Sequence, residues 1–199
     1  CRHPGSAIPL VALQFHEVRV KVTFGATTIT SAKLYADYVY LDEEERQRFS
    51  QSAQEYLIEQ VQYKSATTTS GDNNISIPFN HPVKELIWVT RNSSGALQDA
   101  TGNAKITFNG QDRAAARDAA YYNLVQPYQH HTRTPGTGVH VYSFGLRPEE
   151  HQPSGTVNFS RIDNASMTVN AAAGSVDIYA VNYNVLRVQS GLGGLAYSN

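Results

Sequence analysis

The sequence predicts an all-β protein, a β-sandwich carrying one or two short surface helices. Three observations carry that prediction. Apolar and polar residues alternate with the period of two that a half-buried strand requires. Short apolar runs recur along the chain, separated by clusters of Gly, Pro, Asn and Ser. Neither a solenoid-type repeat nor a sustained heptad pattern competes with that reading.

In chain order, the clearest period lies at 17–24, where Val18, Val20, Val22 and Phe24 alternate with Glu17, Arg19, Lys21 and Thr23. A half-buried strand is expected there. Leu13 and Phe15 stand on the opposite parity, which implies either a bulge near His16, the preferred reading, or a stretch covered on both faces. Residues 34–41 carry Tyr and Val on both parities, the pattern of a strand covered on both faces. Asp42 followed by three glutamates and then Arg46 and Arg48 has the N-cap and charge order of a short helix. Further strands are expected at 56–63, 75–79, 86–90, 105–108, 138–146, 156–162, 166–169 and 176–188. The last is the longest and apolar on both parities, so it belongs deep in a sheet. Segments 64–74 and 92–104 have the composition of exposed loops. The alanines between 112 and 123 predict a second short helix. One jelly-roll-like sandwich over residues 1–199 is the simplest architecture.

The bulk numbers exclude several function classes. Hydrophobic residues make up 41% of the chain and charged residues 17%, a low charged share that hints at surface covered by other protein. A net charge of -1 leaves no electrostatic footprint for nucleic acid. The single cysteine, Cys1, cannot form an internal disulfide. No apolar run approaches the length of a membrane span, and the opening Cys1-Arg2-His3-Pro4 reads as the start of a fragment with its upstream part missing.

Catalytic chemistry is hard to assemble from these residues. The Gly-x-Ser-x-Gly elbow of a serine hydrolase does not occur. His130 and His131 are adjacent and diverge on an extended backbone, while His140 and His151 stand apart, so neither a cupin-type nor a zincin-type metal set forms. Residues 191–196 match a Gly-x-Gly-x-x-Ala dinucleotide fingerprint, but no helix and acidic strand follow. Those glycines are expected instead to let the end segment turn tightly against another backbone. Four Asn-x-Ser sequons begin at Asn74, Asn92, Asn158 and Asn164, and of these Asn74 and Asn92 sit in or beside the expected loops where a glycan is sterically possible. No catalytic, cofactor-binding or metal-binding residue is assigned. Trp88 is expected as a core anchor.

Three stretches carry a family resemblance: LQFHEVRV at 13–20, FNHPVKELIWV at 79–89 and YSFGLRPEEHQPSGTVNFSRIDNASM at 142–167. With AVNYNVLRVQSGLGGLAYSN closing the chain, the sequence resembles the C-terminal domain of the major capsid proteins of nucleocytoplasmic large DNA viruses, those of iridoviruses and algal viruses among them. That resemblance implies the second roll of a double jelly-roll protein, with the N-terminal roll upstream of Cys1. It implies homotrimers of the full-length protein forming pseudo-hexagonal capsomers, which contact neighbouring capsomers and minor capsid proteins. The shell would be assembled in the host cytoplasm over an internal membrane that this chain does not span, and would become part of the virion. No enzymatic activity, cofactor or direct nucleic-acid contact is implied. From a different class, the tyrosines and polar loops are also compatible with a carbohydrate-binding jelly-roll module. A cupin-like metalloenzyme is the third reading, with stoichiometric metal as its requirement.

Overall fold

The computed structural model describes residues 4–26, 28–99 and 102–198, so Cys1 lies outside the described residues. The chain divides into two compact units, one of residues 58–184 and one of residues up to 57 together with 185–198.

The 58–184 unit holds the sandwich. Its long strands are β1 (Gln54–Thr68) from residue 58 on, β2 (Gly71–Ser76), β3 (Pro82–Asn92), β5 (Asn103–Phe108), β6 (Gln111–Asp118), β7 (Val139–Ser143), β9 (Ala165–Ala171) and β10 (Gly174–Gln189) as far as residue 184. The short pieces β4 (Leu97–Gln98) and β8 (Val157–Asn158) pair with β3. One sheet runs in the order β1-β10-β3, with β7 also on β3, and the other in the order β2-β9-β5-β6. Eight strands divided four and four between two sheets, with β5 and β6 as a hairpin in the second, make a jelly roll. As expected of a strand apolar on both parities, β10 is interior, lying between β1 and β3.

Inward positions of both sheets fill one core: Leu86 and Trp88 from β3, Val176, Ile178 and Ala180 from β10, Ile106 from β5, Met167 and Val169 from β9. Each large aliphatic side chain so buried contributes about 1.5–3 kcal/mol. Trp88 is 1% exposed, which makes it the core anchor the sequence predicts. It meets Tyr122 edge-on at 5.1 Å and stacks on His140 at 5.6 Å.

One irregularity shapes the outer side of the first sheet. The β3–β10 register shifts between Val181 and Asn182, whose partners are Glu85 and Val83, so Lys84 is the extra residue of a bulge. Adjacent Lys84 and Glu85 are both buried, and each has found a polar partner: Lys84 Nζ pairs with Glu59 at 2.7 Å, and Glu85 lies at hydrogen-bond distance, 2.8 Å, from His131 Nε2. Buried charges are tolerated when paired in this way.

Four expectations from the sequence need correction. Residues 17–24 form no strand: Val18, Val20, Val22 and Phe24 are 47–62% exposed. Residues 34–41 form none either, and Tyr35 and Tyr40 are 84% and 92% exposed. A period of two shows that a segment suits a sheet, but a strand exists only where neighbours bond its backbone groups. The alanine-rich stretch is strand β6 as far as Asp118, since pairing with β5 overrides a weak helix propensity. Helix begins later, as a π turn at Tyr121–Val125 followed by α2 (Gln126–His130). Residues 64–74, expected as a loop, are mostly the end of β1 and the start of β2, the turn between them tied by Asn73 through Thr69 and Gly71.

The other unit contains α1 (Glu43–Gln51), capped as expected: Asp42 Oδ1 accepts from the Glu45 N–H at 2.8 Å. It also contains β11 (Leu192–Leu195), which folds back antiparallel on the end of β10. Gly191 turns that hairpin at φ 80°, and a Cβ there would lie 2.5 Å from the Phe15 ring. Gly191 therefore serves a tight turn against neighbouring chain, its carbonyl accepting from the Phe15 N–H. Among the described residues, no helix is long and apolar enough to cross a membrane.

Candidate functional site

The histidines are dispersed. His130 Nδ1 lies 3.0 Å from the Leu146 carbonyl, while its neighbour His131 points to Glu85, so the adjacent pair diverges. His140 is buried in the core against Trp88, and desolvation lowers its pKa. In the other unit His16 Nδ1 accepts from the Gly193 N–H at 3.1 Å, and His151 is exposed. Among the described residues no group of three His, Cys, Asp or Glu is placed to hold a metal ion.

Charged groups of the sandwich instead pair off along the outer side of the β1-β10-β3 sheet. Arg91 Nε donates to Asp177 at 2.9 Å, and the Tyr63 hydroxyl donates to the other Asp177 oxygen at 2.8 Å. Burial alone raises the pKa of Asp177, but hydrogen bonds from Ser65, Arg91 and Tyr63 with the Arg91 charge outweigh it and hold the carboxyl below its ordinary value. Beside this network the Tyr63 and Tyr179 rings lie 5.1 Å apart, and Val61 and Tyr63 remain 63% and 57% exposed. The face is thus neutralised by its own pairs and presents tyrosine and valine outward. Such a surface suits protein contact: aromatic area is available, and the buried charges described on it are paired.

None of this network was singled out from the sequence. The one available signal was an isolated charge inside an apolar strand, as at Lys84, Glu85 and Asp177, which must find a partner if it is buried. The sequons are placed unequally. Asn74 is exposed on β2, an edge strand, whereas Asn92 Oδ1 accepts from Ser94 N, Ser94 Oγ and Ala96 N and so holds a turn together. Glu149 and Glu150 are engaged locally, the first accepting from Thr132 N and the second 3.2 Å from Arg147.

A jelly roll with internally paired charges and an aromatic outer face suits a structural protein that acts through contact. Comparison with known proteins gives the class its family. The family model of the large eukaryotic DNA virus major capsid protein matches residues 45–194. The major capsid protein of Pyramimonas orientalis virus is 47% identical over 236 residues, covering 100% of this chain and 59% of the relative. That of Paramecium bursaria Chlorella virus 1 is 38% identical over 279 residues, covering 98% and 64%. A chain of the PBCV-1 virus capsid quasi-atomic model superposes with a TM-score of 0.82 at 34% identity, covering 100% of this chain and 68% of the other. The chain belongs to the family of large eukaryotic DNA virus major capsid proteins, which are structural and not enzymatic. It spans about three fifths of the length of these two relatives. The carbohydrate-binding alternative finds no support among them, and one of the two loops that motivated it is largely strand.

Proposed function

We propose that the full-length protein is the major capsid protein of an icosahedral virion, forming trimeric pseudo-hexagonal capsomers that tile the shell. The observation that carries this reading is the likeness of the whole chain, at a TM-score of 0.82 and 34% identity, to a chain of a virus capsid. This chain is the second of two jelly rolls in that subunit, the first lying outside it; the greater length of the relatives supports the arrangement. Minor capsid proteins and neighbouring capsomers are its partners, and host cytoplasm is its place of assembly.

In mechanism, the outer faces do the work. Shell formation follows from burying apolar area at about 25 cal/mol per Å² before association costs are subtracted. Modest contacts suffice in a lattice, because a subunit held by several neighbours leaves only when all release it. A glycan at Asn74 or Asn92 belongs to the same proposal, and the exposed Asn74 is the more accessible acceptor. Intact-mass measurement of virion protein reads that modification directly. Electron microscopy of the purified full-length protein tests the main reading. Trimers or shells are expected, and a strictly monomeric protein at high concentration would overturn it.

A further inference from the structure

We propose that Arg113, Arg117 and Tyr142 form an oxyanion site on the open side of the sandwich, built to take a carboxylate presented by another protein. All three residues belong to the 58–184 unit, and the inference does not rest on the shell reading.

Two edges define the place. β6 ends the second sheet, β7 pairs with β3 in the first, and the π turn at Tyr121–Val125 touches both. β6 is irregular along its length. Thr107 stands opposite Asp112 and Ile106 opposite Ala114, so Arg113 is the extra residue of a bulge, and a second shift separates Ile106 from Ala104, which stands opposite Arg117. Bulges re-aim side chains and are common at sheet edges and beside functional sites. Because directly opposed residues share a face, Arg117 stands with buried Ala104 on the side turned towards the first sheet.

Three tyrosines pack together in this opening, Tyr121 edge-on to Tyr122 at 5.1 Å and Tyr122 against Tyr142 at 6.4 Å. Two of their hydroxyls are engaged: Tyr122 donates to the Ala104 carbonyl at 2.9 Å, and Tyr121 accepts from Gln126 Nε2 at 2.9 Å. Tyr142 is only 8% exposed, yet among the described residues its hydroxyl has no hydrogen-bond partner. A polar group so nearly buried calls for a partner from outside the chain.

Positive charge converges on that hydroxyl. The Arg117 guanidinium lies 4.6 Å from the centre of the Tyr121 ring, a stack that orients its plane and leaves the N–H fork at its rim free. Burial raises the pKa of the Tyr142 hydroxyl, the Arg113 charge lowers it, Tyr121 raises it and the Arg117 charge lowers it again, so both cations reach the place where Tyr142 ends. Neither arginine has a carboxylate of its own among the described residues. Asp112 is taken by Lys105 and Thr107, and Asp118 accepts from the Ala120 N–H. Two guanidinium forks and one phenolic O–H match the lone pairs of a carboxylate. A nucleic-acid backbone is a poorer match, because it is tracked by an extended basic surface and this chain has a net charge of -1.

Isothermal titration calorimetry of the 199-residue chain with acetylated triglutamate at low salt is expected to show one saturable site, and acetylated triglutamine should not bind. Arg113→Gln and Arg117→Gln should each weaken the site about tenfold or more, and Tyr142→Phe about threefold to tenfold. Unchanged Trp88 fluorescence verifies that each variant is folded. Tyr142→Phe separates binding from structure: the hydroxyl bonds nothing within the chain, so its removal should weaken binding and leave the urea midpoint in place. A lowered midpoint with unchanged affinity would overturn the inference. So would the absence of saturable triglutamate binding, full affinity in both arginine variants, or inorganic phosphate bound more tightly than triglutamate. None of these results bears on the particles formed by the full-length protein, so the shell reading stands or falls separately.

Discussion

At His140 and Asp177, burial and pairing pull in different directions, and each makes a pH prediction with its own sign. Burial in the core lowers the His140 pKa from its ordinary 6.5. The unfolded chain therefore takes up a proton near pH 6.5 that the folded chain refuses, and this group makes stability fall as pH drops from about 6.5 towards its folded value. His140→Phe keeps a ring for the stack on Trp88 but carries no proton. Its unfolding free energy, measured in urea between pH 7 and pH 5, should decline less than that of the wild type. Asp177 acts lower on the scale. Its carboxyl is held below the ordinary 3.8, so its contribution is complete above that value and disappears as pH falls through the folded pKa. Because Arg91 is about a third exposed, Asp177→Asn should cost only about 1 kcal/mol at pH 7, with no difference from wild type once both are measured in acid. Trp88 separates shape from polarity: its indole N–H is buried with no hydrogen-bond partner among the described residues. Trp88→Ala should cost about 3–5 kcal/mol and Trp88→Phe markedly less, since phenylalanine retains much of the ring and leaves no donor unsatisfied.

Between residue and fold, the strand pair β3–β10 depends on one close approach. Gly174 opens β10 opposite Asn92, and a Cβ there would sit 1.9 Å from the Arg91 carbonyl oxygen. Gly174→Ala must push the strands apart at that end, at a cost of about 2 kcal/mol or more, read as a lowered urea midpoint with an unchanged slope. The same elements show what a sequence can and cannot disclose. Segment 176–188 announced itself through two apolar parities, and Asp42 with its glutamates announced α1, because burial on both faces and helix capping are local demands written in local residues. The alanines of β6 misled because alanine suits a helix in isolation and nothing local reveals the partner β5. The outer-face network was equally hidden: Tyr63, Arg91 and Asp177 meet across three strands, and no spacing within one segment encodes that meeting. What the sequence disclosed about function came through whole stretches resembling a family, not through a constellation of reactive groups.

Across the whole molecule, order is unevenly distributed. The buried core cluster draws its residues from between Ile75 and Ala180, while most residues from 14 to 40 are exposed, with Arg19, Lys21 and Lys33 among them. Proteolysis at native conditions follows local opening, and a segment without ladder hydrogen bonds needs none to be cut. Brief trypsin treatment in dilute solution should therefore cleave after Arg19, Lys21 and Lys33 well before any basic residue of β3 or β10, leaving the 58–184 sandwich intact by mass spectrometry. Cleavage of the sandwich at a comparable rate would mean that its core is less cooperative than its packing implies.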